Sequence, residues 1–172
     1  ASMMNQDVAL KGSESDQQLP DFTEETPAEF KSHLTLVSRD YLSVKDALVQ
    51  SDAELAKLSA NGMLESLNKV DMSLLEGPAH SYWMKQLTRL REHTDIMTDR
   101  DDVEEQRKQF EFLSEALIES VKVFGVLSDT LYVQHCPMAF DNLGADWLSS
   151  DREIRNPYFG SKMLKCGIIK SY

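Results

Sequence analysis

Residues 26–49 read TPAEFKSHLTLVSRDYLSVKDALV, and this stretch decides the fold class. Its apolar residues recur at alternating intervals of four and three, which places them on one face of an α-helix. The Thr-Pro-Ala-Glu sequence at residues 26–29 predicts the start of the helix, because it forms a capping box with proline at the first helical position. The apolar stripe consists of Phe30, Leu34, Val37, Tyr41, Val44 and Leu48. We therefore expect an amphipathic helix that buries this stripe.

Three further stretches have the same character. A second capping box, Ser-Asp-Ala-Glu, lies at residues 51–54, and Glu-Gly-Pro at residues 76–78 separates the second helix from the third. A fourth helix is expected from Asp101 and Asp102, whose charges suit the positive end of the helix dipole, to Gly125. The expected core positions are Leu55, Leu58, Met63, Leu67, Val70 and Leu74, then Ala79, Trp83, Leu87, Leu90 and Met97, then Val103, Phe110, Leu113, Leu117, Val121 and Phe124. Four such helices joined by short turns predict an all-α, up-down-up-down four-helix bundle.

The helical period fades after Gly125. Residues 130–133 (Thr-Leu-Tyr-Val) and, more weakly, residues 166–169 (Cys-Gly-Ile-Ile) have the composition of strands, and pairing them would bring Cys136 near Cys166. Turn-forming sequences between them indicate an ordered loop. We thus expect a flexible arm or linker at residues 1–24 and a single helical-bundle domain at residues 25–172. Its irregular tail, residues 126–172 with at most a short two-stranded pairing, is expected to cover one end of the bundle.

Composition narrows the classes of function. With 29 acidic and 18 basic residues the formal charge is -11, which disfavours binding to nucleic acid or to an anionic membrane. No apolar run reaches the length of a membrane-spanning helix, so we expect no membrane insertion. Residues 1–5 lack the basic and apolar pattern expected of a signal peptide. The sequence has no Gly-x-Ser-x-Gly elbow, no glycine-rich phosphate loop and no His-Glu-x-x-His motif. These observations favour a protein that is not an enzyme.

The tail holds the residues with the most distinctive chemistry. Both cysteines lie there, and Met138 and Met163 stand two or three positions from Cys136 and Cys166, respectively. Thiolate and thioether sulfurs are the ligands that monovalent copper prefers. His135 is a further candidate ligand, although alternation along a strand should turn its side chain away from that of Cys136. The pattern indicates a site for monovalent copper or silver.

The residues leave other interpretations open. Cys136 and Cys166 could instead form a structural disulfide, with Met138 and Met163 filling gaps in the core. They could also be unlinked buried thiols. An enzyme that used Cys136 as a nucleophile would need an electropositive and partly exposed thiol.

Arg107 lies beside the apolar stripe of the fourth helix, seven positions before Ser114. It either reaches into the end of the bundle and holds the tail by hydrogen bonds, or lies exposed with its aliphatic stem over apolar surface.

Several motifs resemble an uncharacterised bacterial domain of unknown function. In the tail these are Cys136-Pro137-Met138-Ala139, Trp147-Leu148-Ser149, the EIRNPYFG sequence of residues 153–160, and Met163-Leu164-x-Cys166-Gly167. In the helices they are Tyr41-Leu42-x-x-Lys45-Asp46-Ala47-Leu48 and Gln106-Arg107-x-x-Phe110-x-x-Leu113-Ser114. The resemblance covers roughly residues 30–170. The domain it resembles occurs alone behind a secretion signal, and also at the C-terminus of periplasmic adaptor (membrane fusion) subunits of copper- and silver-type efflux pumps.

This resemblance implies a periplasmic or secreted helical protein that takes part in heavy-metal handling. Cys136, Met138, Met163 and Cys166 are then the natural ligands for monovalent copper or silver, and a metal-efflux adaptor or another periplasmic metal carrier is the expected partner. With 172 residues the sequence is too short for us to expect an adaptor hairpin, a lipoyl-like segment or a barrel segment in it. The resemblance therefore implies metal binding, buffering or delivery rather than a bridge between a pump and an outer-membrane channel.

Overall fold

A computed structural model describes residues 19–170 of the chain, and most of the expected arm, residues 1–18, lies outside this range. Four long helices account for most of it: α1 (Ala28–Val49), α2 (Ala53–Asn68), α3 (Gly77–Met97) and α4 (Val103–Phe124). A short 3-10 turn, Met72–Leu74, connects α2 to α3. None of the described helices is both long and apolar enough to span a membrane.

The core lies between the apolar faces of these helices. All six residues of the expected stripe on α1 are fully buried. The ring of Phe30 meets that of Trp83 edge-on at a centroid distance of 5.2 Å and lies 5.1 Å from that of Phe124. Helices adjacent in the chain pack against each other, and α1 also contacts α4. The four long helices are thus confirmed, while the up-down-up-down bundle topology stays a prediction.

The buried face of α2 differs from the expected one. Leu55 and Leu58, expected in the core, are 38% and 69% exposed. The buried residues of this helix are Ala56, Ala60, Met63 and Leu67. The helical period was therefore correct but its phase was wrong at the start of the helix. Alanines face the core there because small side chains let helices approach closely, and the larger leucines point outward.

The C-terminal region corrects the expectation of an all-α fold with an irregular tail. It contains a three-stranded antiparallel sheet formed by β1 (Tyr132–Cys136), β2 (Ala145–Ser149) and β3 (Ile168–Ile169), in the order β2-β1-β3. The expected pairing of the strand-like segment after α4 with the one near the C-terminus is confirmed as the pairing of β1 with β3, in which His135 lies opposite Ile168. Strand β2 was expected to be loop, but it pairs with β1 along its whole length, from Tyr132 opposite Ser149 to Cys136 opposite Ala145.

A tight turn explains why β2 was missed. Residues Phe140, Asp141 and Asn142 all have positive φ angles of 52°, 56° and 68°, and Gly144 has a φ of 83°. A Cβ atom at Gly144 would lie only 2.9 Å from the His135 ring. The turn-forming sequence before β2 therefore closes a β-hairpin, whereas the same composition is equally typical of an irregular loop.

Phe22 lies inside the range expected to be a flexible arm. Its amide donates a hydrogen bond of 2.9 Å to the Val123 carbonyl. Its ring lies 6.0 Å from that of Phe124 and 6.3 Å from that of Tyr82. The chain is therefore already packed on the helices at this residue.

Candidate thiol site

Two free thiols meet where the sheet ends. Cys136 is the last residue of β1 and is fully buried, whereas Cys166 lies just before β3 and is partly exposed. Their sulfur atoms are 3.9 Å apart. Continued by one residue, the antiparallel register of β1 and β3 places Cys136 opposite Gly167, the residue next to Cys166. The sequence-based expectation that this pairing brings the two cysteines together is confirmed.

Burial raises the pKa of the Cys166 thiol, and the nearby Cys136 thiol raises it further. The protonated thiol is thus the favoured form near neutral pH. A metal ion that binds at this position has to displace a proton, because only the thiolate is a ligand. Binding to this pair should consequently release protons.

The two methionines occupy different positions relative to the thiols. Met163 is partly buried and lies in the same turn as Cys166, whose amide donates a hydrogen bond of 3.1 Å to the Met163 carbonyl. Met138 follows Pro137 beyond the end of β1 and is 47% exposed. The turn expected from the spacing of Met163 and Cys166 is therefore present.

His135 lies away from the thiol pair, as alternation along a strand predicts. Its Nδ1 atom is 2.6 Å from Asp146 Oδ1, and the other oxygen of Asp146 accepts a hydrogen bond of 2.9 Å from Lys170 Nζ. These side chains line a cavity of about 200 Å³ together with Glu111 and Glu115 of α4. Burial raises the pKa of Glu111, and the charge of Glu115 adds to this effect. His135 thus has a carboxylate partner in a separate cavity.

The ligand types at the thiol pair are those that a soft monovalent ion prefers. Within residues 19–170, no group of three or more His, Cys, Asp and Glu side chains is placed to hold a metal. An ion at this position would therefore have two thiolates and at most thioether or solvent ligands besides. With metal–thiolate bonds of about 2.3 Å, a separation of 3.9 Å corresponds to an angle of about 115° at the ion. This set fits monovalent copper or silver better than zinc, which prefers four nitrogen, sulfur or carboxylate ligands.

Arg107 connects the helices to the segment that leads to the thiol turn. It is 4% exposed, and its Nε atom donates a hydrogen bond of 2.7 Å to the Pro157 carbonyl. Its Nη2 atom donates to the Leu48 carbonyl at 2.8 Å, and Nη1 lies 2.7 Å from Glu104 Oε1. The interpretation of Arg107 as the residue that holds the tail is confirmed.

Comparison with known proteins gives one match. The family described as "Protein of unknown function (DUF3347)" matches residues 37–129, which is more than half of the chain. The chain belongs to this family. No curated protein and no solved structure showed significant similarity to it. The resemblance to a domain of unknown function is thus confirmed, while secretion and occurrence in efflux adaptors stay predictions.

The family match covers most of α1 and all of α2, α3 and α4, and it ends before the sheet. The candidate ligands, including Cys136 and Cys166, all lie beyond residue 129. This is the part of the chain that carries the tail motifs of the resemblance. The DUF3347 match therefore concerns the helical part of the chain and not the thiols. The argument for a metal site depends on the geometry of the thiols.

Sequence reasoning missed two residues that hold this region together. The hydroxyl of Tyr41 in α1 lies 2.6 Å from Ser114 Oγ and accepts a hydrogen bond of 3.0 Å from the amide of Leu148 in β2. Asn156 is fully buried and donates to the Cys166 carbonyl. The helical period marks Tyr41 as a core residue and turn composition places Asn156 in a loop. Both also lie in the motifs of the family resemblance, but none of these patterns reveals a long-range partner.

Proposed function

We propose that this member of the DUF3347 family is a periplasmic or secreted accessory protein that binds monovalent copper or silver and takes part in metal efflux or homeostasis. The observation that carries the proposal is the pair of free thiols, Cys136 and Cys166, with sulfur atoms 3.9 Å apart. Thiolates favour soft monovalent ions, and this separation allows one ion to bridge both sulfurs. The proposed role is non-enzymatic.

Met163 is the proposed third ligand, because it belongs to the same closed turn as Cys166. Met138 is the proposed alternative thioether, although its exposure means that it would have to fold back toward the thiols. His135 is the weakest of the five candidates, since its Nδ1 atom is already bound to Asp146. The site proposed here therefore has two thiolates and one thioether.

Metal transfer would proceed by ligand exchange. Cys136 is fully buried and Cys166 is partly exposed, so an incoming thiolate from another protein would meet the ion at the Cys166 side. Replacement of Cys166 first and of Cys136 last requires no change in oxidation state. The proposed recipient or donor is a metal-efflux adaptor or another periplasmic metal carrier. This assignment and the location rest on the resemblance of the tail motifs.

The test is an anaerobic titration of the fully reduced protein with monovalent copper against a chromogenic chelator, with free thiols counted on an untreated sample. One equivalent of tightly bound copper and two free thiols would support the proposal. Cys136→Ser and Cys166→Ser should each abolish tight binding, because a single thiolate remains. Unchanged affinity in either variant would overturn the assignment.

Methionine variants test the third ligand. Met163→Leu conserves volume and removes the thioether sulfur, so its affinity for copper should fall while the fold is retained. Met72→Leu makes the same exchange at the 3-10 turn between α2 and α3 and is the matched control. Equal affinities of these two variants would remove Met163 from the ligand set.

The same thiol pair supports a second candidate function, an interaction module fastened by a Cys136–Cys166 disulfide. The two sulfurs would have to approach to about 2.05 Å, the length of a disulfide bond. This function predicts no free thiols in the untreated protein, no metal dependence, and a loss of about 2–4 kcal/mol in the free energy of unfolding on reduction. Thiol counting separates the two functions directly.

A further inference from the structure

Asn156 makes four hydrogen bonds around the thiol turn. Its side-chain Nδ2 donates to the Cys166 carbonyl at 2.8 Å, and its Oδ1 accepts from the Tyr158 amide at 2.8 Å. Its backbone amide donates to the Leu164 carbonyl at 2.8 Å, and its carbonyl accepts from the Gly160 amide at 3.0 Å. Asn156 itself is fully buried, so its own polar atoms are shielded from water.

These bonds use the particular chemistry of an asparagine. The side chain donates to the carbonyl of Cys166 and accepts from the amide of Tyr158, so its amide nitrogen and its oxygen each have a partner. Aspartate keeps the acceptor but loses the donor to Cys166, and alanine loses both. Removal of the donor leaves the Cys166 carbonyl without this partner.

The adjacent residues fix Asn156 to the helices. The Pro157 carbonyl accepts the hydrogen bond from Arg107 Nε. A Cβ atom at Gly160 would lie 2.7 Å from Ser51 Oγ and 3.0 Å from Arg107 Nη2, so the chain can pass this close to α4 only because residue 160 is glycine. Asn156 therefore lies between a rigid anchor and the turn that carries Cys166.

We propose that Asn156 is the positioning residue that holds the Cys166 thiol at bridging distance from Cys136. Its amide fixes the carbonyl of Cys166 itself, and the opposite thiol is held by β1. The inference that Asn156 supports binding of copper or silver rests on the proposed function. The inference that it positions the two thiols does not. Without the amide, the turn would occupy other conformations and the fraction ready to bridge an ion would fall.

The experiment measures binding of phenylarsine oxide, which condenses with two thiols, forms two arsenic–sulfur bonds and releases one water without any redox change. It is carried out anaerobically on the reduced full chain, with the monovalent copper titration in parallel. Asn156→Ala should bind the arsenical about tenfold more weakly than the unmodified protein, as expected for loss of a hydrogen bond that orients the site. Asn156→Asp replaces the donor by a carboxylate oxygen that faces the Cys166 carbonyl, so it should weaken binding at least as much, and it serves if the alanine variant does not fold.

Tyr158→Phe is the matched control. It removes the hydrogen bond of 2.6 Å from the Tyr158 hydroxyl to the Asp146 carbonyl and so loosens the same segment without touching Cys166. Its arsenical affinity should stay within about twofold of the unmodified protein, because the amide clamp on Cys166 is retained. Circular dichroism and thermal unfolding confirm that each variant is folded.

The outcomes separate this inference from the proposed function. Weak arsenical binding by the Asn156 variants, with normal binding by Tyr158→Phe, supports positioning; if the unmodified protein then fails to bind copper, only the proposed function falls. Equal weakening of all variants would mean general loosening and would overturn the positioning role. Unchanged binding in the Asn156 variants, or no arsenical binding by the unmodified protein, would overturn it as well.

Discussion

The helices and the C-terminal sheet of this protein are stabilised in different ways. The helices bury continuous apolar stripes, such as the six residues of α1 that are fully buried. The sheet also buries apolar side chains, among them Trp147 and Leu148, but it and the segment around it are held in addition by buried polar side chains. These are Arg107 on Pro157, Asn156 on Cys166, and Gln134 on Asp151 at 2.8 Å. Stabilisation by many weak apolar contacts tolerates the loss of a few of them, whereas a buried hydrogen bond is lost when either its donor or its acceptor is removed.

The same division separates framework from chemistry. The DUF3347 match covers residues 37–129, and the thiol pair lies outside it. Tyr41 and Arg107 belong to the matched helices but reach across to the C-terminal region, to the Leu148 amide and the Pro157 carbonyl. The helices thus supply fixed anchor points for the segment that carries the candidate site.

The largest expected effect is on the helices. Phe30→Ala removes a fully buried ring from between Trp83 and Phe124 and should lower the free energy of unfolding by about 3–5 kcal/mol. Urea unfolding of the reduced protein measures this loss. Leu58→Ala, at a position that is 69% exposed, is the control and should change the stability by about 0.5 kcal/mol or less. Equal losses at the two positions would contradict the assignment of the core face of α2.

Arg107→Lys should have the next largest effect and act mainly on the C-terminal region. Lysine keeps the charge but lacks the planar guanidinium that donates to the Pro157 and Leu48 carbonyls. The free energy of unfolding should therefore fall by about 2–3 kcal/mol. Amide hydrogen exchange should speed up first at residues 156–166, while α1 and α3 stay protected. Lys108→Arg, at the exposed neighbouring position, is the control. Uniform acceleration along the whole chain would mean that Arg107 does not act as a local anchor.

Alkaline pH should weaken the connection between the two regions. Burial raises the pKa of both Tyr41 and Tyr158 above the ordinary value. Their contribution to stability is therefore complete below the pKa of an unfolded tyrosine, about 10, and is lost as the pH rises through the folded values. Unfolding measured between pH 8 and pH 11 should show stability falling above about pH 10. Tyr158→Phe should make this fall shallower, and an unchanged slope would contradict the prediction.

Much of the helical framework could be predicted from the sequence because a helix is encoded by residues close in the chain. The stripes of α1 and α3 were correct at every position named. The phase of α2 was wrong because hydrophobicity alone ranks Leu55 and Leu58 above Ala56 and Ala60, whereas close helix packing favours the small side chains. Which residue faces a neighbour is a property of the pair of helices, and one sequence pattern does not contain it.

The candidate site was predictable only in part for a related reason. Strand composition and pairing correctly predicted that Cys136 lies near Cys166. Alternation along the strand correctly predicted that the His135 side chain points away from them. The hairpin with β2 and the amide clamp of Asn156 were missed. Asn156 is ten positions from its partner Cys166, and no periodicity links the two, so only the folded geometry identifies this contact.

The smallest expected effect concerns the exposed link between the two regions. Arg39 of α1 forms a two-bonded ion pair with Asp129, at 2.9 Å and 3.0 Å, where the chain leaves α4 for β1. Arg39→Ala and Asp129→Ala should each lower the melting temperature by about 2 °C or less, since solvent screens exposed pairs. In about 1 M salt, where the screening length is about 3 Å, the difference should shrink further. A double-mutant cycle that shows strong, salt-independent coupling would mean that this surface pair anchors the C-terminal region as the buried Arg107 does.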